Sequence, residues 1–233
     1  MNKTYLGSGR LPVAIVFLVL TAGFAPETVA QTDFTGVYVL VPDNVTLPGG
    51  LKNEGGPEAV PLQPSAVAVQ RTRTPKDDVA NLCLPVGPFR MMAWQGNKMD
   101  VYHSPGYITL LFENHMLGHM RTIYLNRTQH NPGLPLWVGD AIGRWDGDTL
   151  VAETTNFTEY TWLNGAGAPH SEALKLTERY RSVGGGKYLE VKMTAEDPKV
   201  LTAPYTYTRY YERTTSEIQE DICQNDLETI EVE

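Results

Sequence analysis

The chain has 233 residues, of which 42% are hydrophobic and 20% charged, and this composition excludes a disordered chain and a fibrous repeat. The formal net charge of -8 argues against nucleic acid or an anionic membrane surface as a partner. Binding to phosphate groups needs clustered lysine and arginine, and the chain has no such cluster. We therefore expect one sizeable core and no nucleic-acid partner.

Residues 1–30 have the pattern of a secretory signal peptide. Lys3 and Arg10 form a basic segment before an apolar run from Leu11 to Ala25, and small residues follow at 28–30. The run is shorter than the ~20 residues that a membrane-spanning helix needs. We predict that the mature chain begins near Gln31, forms a single domain over 31–233, and is periplasmic or secreted without membrane contact. An uncleaved anchor is the alternative.

Two cysteines, Cys83 and Cys223, remain in the predicted mature chain. An even number of cysteines in an exported protein indicates a disulfide, so we predict that these two residues pair. The bond would stabilise the fold by about 4 to 5 kcal/mol in the chain-entropy description. Two buried free thiols are the alternative.

The predicted elements begin with a strand from Phe34 to Leu40, followed over 42–75 by a long loop rich in proline and glycine. The only helical pattern is a short one from Lys76 to Leu82. Later segments alternate or are apolar and are separated by turn signals such as Asp146-Gly147 and Gly184–Gly186. The predicted later strands are 100–103, 107–113, 119–125, 142–145, 148–154, 171–181, 188–194, 205–213 and 217–223.

The number and even spacing of these strands predict an all-β fold. We expect an antiparallel, lipocalin-like β-barrel of about eight to ten strands with an N-terminal strand and long loop region over 31–98, and a β-sandwich is the alternative. A barrel of this size has an interior that can hold one small ligand.

Charged residues on the apolar faces of these strands are the candidate functional residues. Glu178 shares a face with Leu174, Leu176 and Tyr180, and Glu220 lies among aliphatic neighbours in the last predicted strand. A buried charge costs several kcal/mol unless it is paired, hydrogen-bonded or neutralised. Both acids therefore need a partner or a function.

Two interpretations of the inward polar residues remain open. In the first, they form an ion-pair network that only satisfies itself. In the second, Glu178 has a raised pKa and acts as a general acid or base, with Glu220 and His170 as further proton carriers. The residues predicted to bind the substrate are Glu113, Arg121, Trp145, Trp162, Tyr180 and Arg209, with Arg121 or Arg209 holding an anionic group.

The sequence favours neither a metal nor a cofactor. His115 and His119 are four residues apart, but they span a hairpin turn rather than a helix, and no further ligand follows at a usual distance. Phosphate-binding glycine loops, nucleophile elbows and Cys-x-x-Cys pairs do not occur in the sequence. We expect chemistry without a cofactor.

Several sequence blocks resemble a family of exported bacterial proteins of unassigned function. The blocks are CLP at 83–85, PFRM at 88–91, GRWDGDTLV at 143–151, TWL at 161–163, HSEAL at 170–174, ERY at 178–180 and DP at 197–198. Members carry acids at the positions of Glu113, Glu178 and Glu220, and an arginine at that of Arg121. The resemblance covers about 83–223, and it implies a periplasmic location and a shared pocket but no activity. The turn from His115 to His119 departs from the family pattern.

We predict an exported β-barrel enzyme that performs cofactor-independent acid/base chemistry of the isomerase, lyase, cyclase or hydrolase type. Its substrate would be a small, largely apolar or cyclic molecule. The alternative is a periplasmic carrier that binds such a molecule without catalysis. A third possibility is an envelope protein whose barrel interior is filled by its own side chains.

Overall fold

A computed structural model describes Met1, residues 32–113, 120–131 and 133–221. In these ranges nine strands form one closed barrel, in which each strand pairs with the next and β9 pairs with β1. The strands are β1 Gly36–Leu40, β2 Lys98–Ser104, β3 Tyr107–Phe112, β4 Met120–Tyr124, β5 Asp140–Asp146, β6 Thr149–Thr155, β7 Lys175–Val183, β8 Tyr188–Glu196 and β9 Tyr205–Thr214. The predicted all-β barrel is confirmed.

One strand pair departs from the predicted antiparallel order. β4 and β5 run parallel, through the pairs Ile123 with Ala141 and Tyr124 with Ile142. Parallel neighbours need a connection of about a dozen or more residues, because the chain must return to the end of the sheet from which it started. The segment 125–139 is long enough for that return, so the barrel is mixed rather than purely antiparallel.

The predicted glycine turns are confirmed. Gly147 has a φ of 62° between β5 and β6, and Gly184, Gly185 and Gly186 have φ values of 60°, 68° and 91° between β7 and β8. Residues with a side chain rarely adopt positive φ, so glycine at these positions lets adjacent strands reverse direction over a few residues.

The connection between β1 and β2 is more ordered than the predicted long loop. It contains α1, Pro64–Thr72, and α2, Pro88–Met91, together with four 3-10 turns at Pro48–Gly50, Pro57–Ala59, Pro75–Asp77 and Val79–Leu82. The predicted helix from Lys76 to Leu82 is therefore two short turns. Proline occupies the first turn of both helices, where its missing N–H costs no hydrogen bond, so a proline-rich sequence here starts helices instead of excluding them.

The short helix α2 packs against the interior face of the barrel. All four of its residues are buried, and so is Met92 after it. Two tyrosines on the inward face of β9 donate hydrogen bonds to its carbonyls, Tyr207 to Phe89 at 2.5 Å and Tyr211 to Met92 at 2.6 Å. These bonds fix α2 to the barrel wall at the end where β9 begins.

Some predictions concern residues outside the described ranges. They are the signal peptide over 1–30, the histidines at 115 and 119, and Cys223. The predicted strand 217–223 is wrong over its described part, because 217–221 form no strand. None of the helices in the described part of the chain has the length and apolar character that crossing a bilayer requires.

The disulfide between Cys83 and Cys223 stays a prediction. Intact-mass analysis of the exported protein, with and without reductant, should differ by two hydrogens. Replacing both cysteines by serine should lower the free energy of unfolding by about 4 to 5 kcal/mol, because the bond would close a loop of most of the mature chain. Labelling of both thiols in unreduced, denatured protein would contradict the pairing.

Candidate functional site

The centre of the barrel holds an ion pair between strands that are not neighbours. Arg121 on β4 and Glu178 on β7 both point inward, and they are 1% and 0% exposed. The Nη1 of Arg121 donates to Oε2 of Glu178 at 2.5 Å, and its Nη2 donates to Oε1. Two parallel charge-assisted bonds of this kind fix the geometry of both side chains.

Two hydroxyl groups complete this cluster. Thr154 on β6 donates to Oε1 of Glu178 at 2.9 Å and accepts from Nη2 of Arg121 at 2.7 Å. Tyr180, two residues beyond Glu178 on the same face, donates to Oε2 at 2.5 Å. We call Arg121, Thr154, Glu178 and Tyr180 the central quartet. It brings together three of the residues that the sequence singled out.

The ionisable groups of the central quartet have pKa values that fix their protonation states near neutral pH. Burial alone would raise the pKa of Glu178, but the charge of Arg121 and the hydrogen bonds from Arg121, Tyr180 and Thr154 hold this pKa below its usual range. Burial and the Glu178 carboxylate raise the pKa of Tyr180 well above its usual value. Burial opposes the charge of the Arg121 guanidinium, but Glu178 outweighs that effect and raises the Arg121 pKa. All three groups keep one charge state near neutral pH.

His170, predicted as a further proton carrier, is buried in the segment between β6 and β7. Its Nε2 lies 2.7 Å from the hydroxyl of Thr161, and its Nδ1 lies 3.1 Å from the carbonyl of Ser171. Burial lowers its pKa, so the neutral ring is favoured. Both ring nitrogens are used to hold the segment between β6 and β7, and this segment packs against α2 through Phe89.

The other two predicted acids do not join the central quartet. Glu220 is exposed and outside any strand, because the strand predicted to bury it does not form over 217–221. Glu113 lies at the end of β3, where it accepts from Lys98 at 2.8 Å and from the backbone N–H of Gln219 at 2.9 Å. Arg121 pairs with Glu178 instead of with Glu113 across the hairpin.

The two tryptophans predicted to bind the substrate lie at opposite ends of the barrel. Trp145 lies beside the turn that begins β6 and stacks on Phe34 at 5.5 Å. Trp162 follows the other end of β6, is buried, and has the guanidinium of Arg73 at 5.2 Å from its ring centre. They therefore do not form one pocket, although each closes a different part of the core.

Two more polar side chains face the interior near α2. Arg209, 3% exposed, lies between Tyr207 and Tyr211 on the inward face of β9. Asn97, 2% exposed, precedes β2 with the same alternation as Met99 and Val101. Asn97 was not among the residues predicted from the sequence, although its position two residues before Met99 puts it on the same face of the strand.

Two surface pockets lie away from these residues. One of about 700 Å³ lies between the start of α1 and the β8–β9 connection, and the other, of about 330 Å³, lies beside β5. The larger is lined by proline, leucine and the backbone around Asp197, whose carboxylate is already bonded to Ser171. Neither contains a residue of the central quartet.

The fold and the site together define a closed, mixed β-barrel with a buried ion pair at its centre.

No family model and no curated protein matches the chain. Many solved structures are similar to the chain, among them the following three at low identity. The REP1-NXSQ fatty acid transporter is 10% identical, with 79% of this chain and 98% of that chain covered and a TM-score of 0.40. A fatty-acid-binding protein isolated from Manduca sexta L is 12% identical, with 77% and 99% covered and a TM-score of 0.37. A secretary abundant heat soluble protein from Ramazzottius varieornatus is 15% identical, with 51% and 71% covered and a TM-score of 0.30.

The prediction of an acid/base enzyme is corrected. It required Glu178 to have a raised pKa and to exchange a proton, but the Arg121 guanidinium and two hydroxyl groups lower this pKa and occupy both carboxylate oxygens. It also required Glu220 inside the barrel, and that residue is exposed. The alternative, ligand binding without catalysis, agrees better with this geometry.

Proposed function

We propose that the chain binds a small, largely apolar molecule inside the barrel and carries it without chemical change. The observation that carries this proposal is the side-chain amide of Asn97. Both its nitrogen and its oxygen are buried and have no hydrogen-bond partner among the residues that the structure describes. A buried polar group without a partner costs about 1 to 3 kcal/mol, so native structures rarely keep one without a reason.

The surroundings of Asn97 suit a ligand with one polar group. Its inward neighbours along the strand are Met99 and Val101, and its backbone carbonyl accepts from the N–H of Leu40, which is also buried. An apolar cavity wall with a few placed polar groups is typical of small-molecule sites. An amide both donates and accepts, so a hydroxyl, carbonyl or amine of the ligand would satisfy it.

The inward-facing ionisable groups also support binding rather than the predicted proton transfer. Among the described residues, the inward-facing carboxylate of Glu178 is held ionised by Arg121, and the inward-facing phenols of Tyr180, Tyr207 and Tyr211 have pKa values raised by burial. Such groups bind and orient without moving protons near neutral pH. We place this carrier in the periplasm because of the predicted signal peptide and the resemblance to exported bacterial proteins.

Titration with N-phenylnaphthylamine, a neutral apolar dye with one N–H group, tests the proposal. We expect a saturable rise in fluorescence with one dye per chain. Asn97→Leu should weaken binding by about 2- to 12-fold, the range for one hydrogen bond, while the exposed Asn126→Leu serves as the matched control and should bind as the wild type does. Absence of saturable binding, with a β-sheet circular dichroism spectrum, would contradict the proposed function.

A further inference from the structure

Among the buried arginines of the described ranges, Arg209 differs from the other two in having no carboxylate partner. Arg90 pairs with Asp78 at 2.8 Å, and Arg121 pairs with Glu178. Within the described ranges, no carboxylate lies within ion-pair distance of Arg209. The guanidinium is nonetheless almost fully buried.

The hydrogen bonds of Arg209 satisfy only one side of its guanidinium. Its Nη1 donates to the carbonyls of Gly55 at 3.0 Å and Thr208 at 2.9 Å, and it lies 3.5 Å from the carbonyl of Glu54. Its Nε is buried and has no hydrogen-bond partner in the described part of the chain. Carbonyl groups accept hydrogen bonds but carry no net charge, so a full positive charge remains in the interior.

The neighbouring side chains do not neutralise this charge. The guanidinium lies 5.0 Å from the ring centre of Tyr207, and a cation over an aromatic face is stabilised only weakly compared with an ion pair. Burial raises the pKa values of both Tyr207 and Tyr211, so these phenols stay protonated and neutral. The charge of Arg121 is already matched by Glu178.

We propose that the ligand is an amphiphilic anion whose acidic group pairs with Arg209 inside the barrel. This inference rests on the proposed function and specifies its ligand class, an apolar body with one carboxylate, sulfonate or similar oxyanion. Nε and Nη2 of a guanidinium form a fork that matches two oxygens of such a group. Gly56 lies against this side of the guanidinium, where any side chain would crowd Nη2, because a Cβ there would come within 2.9 Å of it. The sequence left Arg121 and Arg209 as alternatives, and the structure favours Arg209.

Two dyes of nearly the same shape test the charge requirement. Anilinonaphthalenesulfonate is N-phenylnaphthylamine with one added sulfonate, so their relative affinities report what the anionic group contributes. We expect the sulfonate to bind the wild-type chain about 10- to 100-fold more tightly, the range for hydrogen bonds to charged groups. Equal affinity of the two dyes would overturn the inference and leave the proposed function intact. Failure of both dyes to bind would instead remove the proposed function.

Variants assign the preference to one residue. Arg209→Gln should remove the preference for the sulfonate, and Arg209→Lys should retain part of it, because lysine keeps the charge and loses the fork. Arg181→Gln is the matched control, since it removes the same charge from an exposed position on β7. An Arg181→Gln variant that loses as much preference as Arg209→Gln would overturn the inference. If Arg209→Gln does not fold, the comparison of Arg209→Lys with the wild type decides, and an undiminished preference would overturn the role of the fork.

A competitor tells an amphiphile from a simple anion. Dodecanoate should displace the bound sulfonate dye at concentrations at which acetate does not, because the apolar chain contributes through its burial. Equal displacement by acetate would overturn the inference that the ligand is amphiphilic and would leave a site for small anions only.

Discussion

Replacing Glu178 by glutamine is expected to lower the free energy of unfolding by about 3 to 5 kcal/mol. Glutamine keeps the shape of the side chain but removes its charge, so the guanidinium of Arg121 stays buried, 1% exposed, without a counter-ion. Urea or guanidinium unfolding, followed by tryptophan fluorescence, measures the loss. A variant within about 1 kcal/mol of the wild type would contradict the ion pair as the main role of Glu178.

A double-mutant cycle separates the pair from its surroundings. Arg121→Met alone should cost about as much as Glu178→Gln, because it leaves a buried carboxylate unpaired. The double variant Arg121→Met with Glu178→Leu should recover most of that loss, since apolar side chains of similar volume replace a buried ion pair at little net cost. Simple additivity of the two single changes would show that the pair does not couple them.

The same pair predicts an acid dependence with a definite sign. The pKa of Glu178 is lower in the folded chain than in the unfolded chain, where it lies near 4.5. Its contribution is therefore complete above the unfolded pKa and is lost as the pH falls through the folded value. Unfolding curves of the wild type should show a loss of stability below about pH 4.5 that is reduced in Glu178→Gln, because the variant has no carboxyl group to titrate at this position.

Strand alternation predicted which faces of β7 and β8 are buried. Leu176, Glu178 and Tyr180 face inward as predicted, and so do Leu189 and Val191 on the paired strand β8. This success has a local cause, because alternate residues of a strand lie on opposite faces whatever its partners are. The inward position of a charged residue could therefore be predicted without knowledge of the barrel.

The partner of Glu178 could not be predicted in the same way. β4 and β7 are not paired, and only closure of the barrel places Arg121 opposite Glu178 across the interior. Glu113 is the acid nearest to Arg121 along the chain, but it pairs with Lys98. The direction of the Glu178 pKa shift depended on Arg121, since burial and an adjacent cation act in opposite directions.

The polar residues near α2 show a second reason why part of the site could not be predicted from the sequence. The sequence predicted a long loop between β1 and β2, whereas the structure has a helix there that accepts hydrogen bonds from the inward tyrosines of β9. Asn97 belongs to the same region, just before β2, and a lone asparagine at a strand start has the composition of a turn residue. Its inward position becomes visible only through the burial of Met99 and Val101 beyond it.

Replacing Asp78 by alanine is expected to destabilise the chain by about 3 to 5 kcal/mol and to speed release of a bound dye. Asp78 holds α2 in place, because its carboxylate accepts from Nη1 and Nη2 of the buried Arg90 at 2.8 and 2.9 Å. It also accepts from the backbone N–H of Ala80 at 3.0 Å and so caps the 3-10 turn before α2. Stopped-flow displacement of N-phenylnaphthylamine measures the release rate.

Asp78→Asn separates the two roles of this side chain. The amide oxygen can still cap the turn at Ala80, but it cannot neutralise Arg90, so we expect most of the destabilisation to remain. Removing both partners, as Asp78→Leu with Arg90→Met, should restore much of the stability because no charge stays buried alone. If α2 covers the route to the interior, dye release should still be faster in this double variant than in the wild type. The variant lacks the bidentate ion pair that joins position 78 to Arg90 of α2. Release at the wild-type rate in all three variants would mean that the ligand reaches the interior without displacing α2.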